Sequence, residues 1–169
     1  ELVCPIPKEL KVVVIDNVVT SGNTGKAIEA VMGRPITLLA FADGTRIQRY
    51  RKNPEGPLRV CISGSRGYRN LDKVGIVLSL LPPGTVVVHG GAMGVDARAH
   101  AVAAELGLVV EVHEADWEKL GRRAGPVRNR EMVASCDYLV AFWDGFSRGT
   151  ASAIQAAILS DVDFDVILD

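Results

Sequence analysis

The 169-residue chain is poor in the features that most quickly assign a protein to a special class. It has almost no net charge: 19 Lys and Arg stand against 20 Asp and Glu, a formal −1, so no global field draws it onto nucleic acid. It has three cysteines, Cys4, Cys61 and Cys136, too scattered for a zinc site and odd in number, which argues against a disulfide framework. Cys61 and Cys136 lie in or beside apolar segments and read as small buried hydrophobes. No apolar run reaches the length of a membrane span and no signal peptide is visible, so the expectation is a cytoplasmic protein without membrane contact. Neither a metal site nor a cofactor is expected.

What the chain does have is apolar residues at 48%, enough for a real core, and glycine in excess. Seventeen glycines make about 10% of the chain, against an average of about 7%. They cluster in short loops after apolar runs, which points to tight strand-to-helix turns.

From Leu58 onward short apolar runs alternate with helical stretches. Strands are expected at Arg59–Ser63, Thr85–His89, Leu108–Val112, Tyr138–Phe142 and Val162–Leu168. Helices are expected at Leu71–Leu80, Val95–Leu106, Pro126–Ser135 and Thr150–Ser160. Near-continuous Val, Ile and Leu strands between helices predict an α/β fold, a Rossmann-like doubly wound parallel sheet covered on both faces. The first 56 residues repeat the pattern once as a short β-α-β extension: strand Lys11–Ile15, turn Thr20–Gly25, helix Lys26–Met32 and strand Ile36–Phe41. Thr45–Arg51 is a candidate third strand. The breakers Asn53-Pro54-Glu55-Gly56-Pro57 set the boundary between a segment 1–56 and a domain 57–169.

In a parallel sheet all strand-to-helix loops emerge at one end, where ligands bind. Four such loops carry suggestive chemistry. Gly64, Ser65 and Arg66 offer close backbone approach, a hydroxyl and a guanidinium. Gly90, Gly91 and Gly94, with Asp96 at the start of a helix, allow amides to face an anion. The stretch Trp117–Arg130 holds Arg122, Arg123, Arg128 and Arg130, suited to an anion, to nearby carboxylates or to solvent, with Arg128 and Asn129 as candidates. Ser147, Gly149 and Thr150 form a second anion cradle. If a reaction is catalysed, Asp96 and then Asp144 are the carboxylates best placed for it. Asp96 and His100 share a helical face, where a polar contact or a packed histidine is favoured over a metal pair.

The segment Arg59–Asp169 resembles the SLOG superfamily, within it the YspA-like branch, through Gly64-Ser65-Arg66, Gly90-Gly91-Ala92-Met93-Gly94-Val95-Asp96 with His100, and Ala115-Asp116-Trp117. The resemblance continues in Ala124-Gly125-Pro126-Val127-Arg128-Asn129-Arg130-Glu131-Met132 and Gly149-Thr150. It implies a nucleotide or nucleotide-derived ligand, as in the DNA-processing protein A and the Lonely Guy phosphoribohydrolases. The latter carry a catalytic glutamate in a Gly-Thr-x-x-Glu turn, where this sequence has Ala153. The front segment resembles the phosphoribosyl-pyrophosphate loop of type I phosphoribosyltransferases: Asp16 matches the first ribose-binding acid, Asn17 replaces the second, and Thr20-Ser21-Gly22-Asn23-Thr24 match the 5′-phosphate turn.

The expected function is therefore binding of a nucleotide-like small molecule. The alternatives are cleavage or transfer at a nucleotide N-glycosidic bond, or an interaction protein with a vestigial site. A homo-oligomer is expected; nucleic acid as a partner is disfavoured by the charge balance.

Overall fold

The computed structural model describes residues 51–169 and the strand backbone at Val13–Ile15 and Thr37–Leu38. The elements in chain order are β1 (Val13–Ile15), β2 (Thr37–Leu38), β3 (Arg59–Gly64), α1 (Asp72–Ser79), β4 (Val86–His89), α2 (Val95–Glu105) and β5 (Val109–Val112). They continue with α3 (Trp117–Leu120), a 3-10 turn (Gly121–Arg123), α4 (Ala124–Ala134), β6 (Tyr138–Trp143), α5 (Arg148–Leu159) and β7 (Asp163–Leu168). The helix and turn expected within 16–36, and most of the candidate strand at 45–51, lie outside the described residues.

These strands form one seven-stranded sheet in the order β2-β1-β7-β6-β3-β4-β5, with every pairing parallel. The α/β class and the doubly wound sheet stand as read from the sequence. From β3 the chain winds outward through β4 to β5, then returns to the other side of β3 and winds outward again through β6 and β7. The winding reverses between β3 and β6.

Alternation along each strand builds two separate cores. Val60, Ile62, Val87, Val140 and Phe142 pack on one face with Val74, Leu78, Ala99 and Val102 of α1 and α2. Cys61, Val86, Val88, Leu139 and Ala141 pack on the other with Met132, Val133, Ala153 and Ala157 of α4 and α5. Cys61 and Cys136 are buried and unpaired by disulfide, as their apolar setting implies.

The boundary at 53–57 is a hydrogen-bonded turn, Gly56 N–H donating to Asn53 O at 3.1 Å. Buried Asp137 fastens both of its flanks: one carboxylate oxygen accepts from Lys52 N–H and the other from Arg59 N–H, each at 2.8 Å. β1 and β2 extend the domain's own sheet beyond β7.

Two boundaries differ from expectation. α4 begins at Ala124, so Pro126 sits within the first turn, where its missing N–H has no intrahelical partner to lose. The third loop is largely helical. Asp116 caps α3 by accepting from Lys119 N–H at 3.0 Å, and the chain runs through the 3-10 turn into α4.

Candidate functional site

The winding reverses between the carboxyl ends of β3 and β6, the position where open α/β sheets take ligands. There the first and fourth loops are stitched together. Ser65 N–H donates to Phe142 O at 2.9 Å, and Asp144 N–H donates to Ser65 Oγ at 3.1 Å. Buried Ser65 and Thr150 place their hydroxyl oxygens 3.3 Å apart, and Thr150 Oγ1 donates to Ser147 Oγ at 3.2 Å.

With Asp144 N–H bonded to Ser65, Ser65 to Thr150 and Thr150 to Ser147, the chain of hydroxyls ends on Ser147 Oγ. That oxygen also caps α5 by accepting from Thr150 N–H at 3.4 Å. Ser147 Oγ thus accepts from both the hydroxyl and the amide of Thr150. Gly149 stands exposed beside it in the first turn of α5, with only Ser147 Oγ within 4 Å of a Cβ built there.

The second loop closes on itself. Asp96, 5% exposed, takes Gly90 N–H at 3.1 Å and Ala92 N–H at 3.2 Å on one carboxylate oxygen. Gly91 N–H donates to His89 Nδ1 at 3.1 Å. The amides expected to face an anion therefore turn inward. Burial raises the Asp96 carboxyl above its ordinary value, against the opposing pull of Ala92, Arg128 and Gly90. Burial, with His100 and Arg128 adding to it, lowers His89 to about 4, so its ring is neutral at neutral pH. Since Gly91 occupies Nδ1, the His89 proton sits on Nε2 and points to His100 Nδ1, 3.2 Å away. His100 thus pairs with His89, while Asp96 serves the loop.

Two approaches explain why glycine occupies this loop. Gly94 has φ +83°, and a Cβ there would lie 2.9 Å from Arg66 O, so the first and second loops touch through bare backbone. At Gly90 a side chain would overlap the Arg128 guanidinium, which donates through Nη1 to Gly90 O and to His113 O. Arg128 Nε donates to Asn129 Oδ1 at 3.0 Å, and buried Asn129 donates to Gly149 O at 3.1 Å. Arg128 and Asn129 join the second, third and fourth loops. Among the described residues Arg128 is in no close ion pair; it donates to carbonyl and amide oxygens and acts on Asp96 only at longer range.

Asp144 Oδ1 accepts from the amides of Phe146 at 2.9 Å and Ser147 at 2.8 Å, an Asx turn that shapes the fourth loop. Desolvation pushes its carboxyl up, but these amides and the Ser65 hydroxyl outweigh it and hold the group below the ordinary value. Trp143 spends its indole N–H on Ser147 O at 3.1 Å. Arg66 is exposed in the first loop, and Arg122, Arg123 and Arg130 are exposed on the third connection. Asp16, Thr20, Ser21, Gly22, Asn23 and Thr24 lie outside the described residues.

One polar cluster had no signal in the sequence. Arg59 Nη2 and His113 Nε2 both meet Glu111 Oε1 at 2.7 Å. Arg59 foremost, with His113, lowers the Glu111 carboxyl to about 2. The cluster joins β3 to β5 across β4.

No protein-family model matches the chain. Over 109 residues it is 40% identical to the Gene 61 protein of Mycobacterium phage D29, an alignment spanning 59% of this chain and 87% of the phage protein. The chain belongs to the Gene 61 protein's family. That name states no activity. Among the described residues no cluster of three metal-binding side chains occurs, and no helix is long and apolar enough to cross a membrane.

Proposed function

We propose that this protein binds a nucleotide or a nucleotide-derived small molecule between the carboxyl ends of β3 and β6. The observation that carries this reading is the cluster of three hydroxyls, Ser65, Thr150 and Ser147, bonded to one another and to Asp144 N–H where β3 and β6 end. Beside it lie the open amides of the first turn of α5, favourable to an anion. Arg66 supplies an exposed guanidinium, and Arg128 a half-buried one in no close ion pair among the described residues. Hydroxyls, helix amides and guanidinium groups together match the oxygens of a phosphate and a ribose. The resemblance to the SLOG superfamily points the same way. Gly64, Gly90, Gly91 and Gly94 act in this reading by letting the loops close around the ligand. Both candidate carboxylates, Asp96 and Asp144, are engaged by loop amides, which favours binding over turnover.

Gly149→Asp tests it. The side chain enters open space and an acid in the first helical turn suits the helix dipole, so the free protein keeps its melting temperature. AMP, ADP-ribose and NAD are the probes in a thermal-shift titration. At least one raises the melting temperature of the wild type, and Gly149→Asp abolishes the rise by repelling the phosphate. No rise with any of the three, or an equal rise in the variant, would overturn the reading.

A further inference from the structure

Among the described residues the outer edge of β5 has no neighbouring strand. Its register with β4 decides what that edge presents. Val109 N–H donates to Thr85 O at 3.1 Å and His113 N–H to His89 O at 2.9 Å. Odd-numbered residues therefore bond inward, and the N–H and C=O of Val110 and Val112 face outward. The side chains of Val109 and Val112 lie on opposite faces of the sheet and are 53% and 41% exposed.

Among the described residues, five of the nine exposed large apolar side chains, Leu106, Val109, Val112, Trp117 and Leu120, fall in this one stretch of chain. An exposed strand edge is ordinarily guarded by lysine, proline or a bulge, and Val109-Val110-Glu111-Val112 carries neither lysine nor proline. Its single charge, Glu111, is drawn back onto Arg59 and His113.

We propose that a second copy of this chain covers this edge, its β5 pairing antiparallel with β5 here about a twofold axis through Val112. Avoidance of like-charge pairing selects the register. With the axis at Val112, the two Val112 residues exchange both main-chain hydrogen bonds, and Glu111 of each copy lies opposite the partner's His113. That is a non-hydrogen-bonded pair, the kind with the closest side chains. An axis at Glu111 would set two carboxylates face to face, and an axis at Val110 would set Glu111 against valine. A twofold contact uses the same patch twice, as this edge with its own acid and imidazole two residues apart allows. The exposed valines then bury on both faces of one continuous sheet.

Sedimentation analysis of the full chain at tens of micromolar tests the proposal. The wild type sediments at twice the 18.1 kDa chain mass. Val112→Lys places like charges at the axis, and Val112→Pro removes an outward N–H that the β4 ladder does not use. Both sediment at the single-chain mass, with far-ultraviolet circular dichroism unchanged. Leu159→Lys, at an exposed apolar residue of α5 away from β5, leaves the mass doubled. Amide exchange gives an independent reading: Val110 and Val112 exchange slowly in the wild type and rapidly in Val112→Lys. The proposal fails if the wild type is monomeric, if both Val112 variants stay dimeric, if Leu159→Lys alone dissociates the dimer, or if the Val110 and Val112 amides exchange rapidly in the wild type.

Discussion

Asp96 separates two ways in which a buried carboxylate can serve this fold. One oxygen holds the Gly90 and Ala92 amides, so Asp96→Ala leaves two donors without their acceptor. An orphaned buried donor costs about 1–3 kcal/mol, and these amides lie on partly accessible residues where water recovers part of it. The low end of that range for each gives about 2–3 kcal/mol, a fall in melting temperature of about 4–12 °C for a chain of this size. Asp96→Asn behaves differently. It keeps an oxygen for both amides and removes a charge that burial already disfavours, so it costs about 1 kcal/mol or less. The assay is urea unfolding followed by the fluorescence of Trp117 and Trp143, at pH 7. Equal losses in the two variants, or a loss below 1 kcal/mol in Asp96→Ala, would refute the account of Asp96 as the acceptor that shapes the second loop.

Two further outcomes follow from the same geometry. Glu111 is held at about 2 in the folded chain and titrates near 4.5 when unfolded, so its stabilisation is present above pH 4.5 and lost as pH falls toward 2. Its side chain is 40% exposed, and screening reduces the contribution to about 1 kcal/mol. Urea midpoints of Glu111→Gln therefore fall below the wild type at pH 6 and converge with it near pH 2. Gly64→Ala drives a methyl to within 2.5 Å of Val95 where α2 meets β3 and destabilises by about 1–3 kcal/mol. Gly67→Ala, with nothing within 4 Å, stabilises by about 0.4–1 kcal/mol, and calorimetry of the pair checks the contrast.

The central strands β4 and β6 were legible because they are buried on both faces: Val86–Val88 and Tyr138–Phe142 are unbroken apolar runs. α5 was legible through its apolar spacing, although its start at Arg148 depends on the Ser147 cap rather than on that pattern. α3 was not legible, because four residues carry no periodicity and its start rests on the single Asp116 cap. Gly125 and the paired arginines before it likewise hid the start of α4. At the site, glycine positions marked where the loops turn, but not which way the amides point. That direction depends on Asp96 and His89, whose acceptors compete with any outside anion for the same donors. The Arg59–Glu111 pair was invisible because it reaches over β4, about 9–10 Å between alternate strands, and linear spacing carries no trace of that.

The position of β1 sets an order of assembly. Val13 pairs with Asp165 and Ile15 with Ile167, so the earliest strand of the sheet leans on the strand that follows all the others in the chain. At ribosomal speeds of about 5–20 residues per second, β1 waits roughly 10–30 s for that partner to be made. β3 meets β4 far sooner, and neither strand needs the front segment to pair. During synthesis β3 can therefore pair with β4 well before β1 can pair with β7. A nascent chain halted before Asp163 holds β1 without the β7 strand it pairs with.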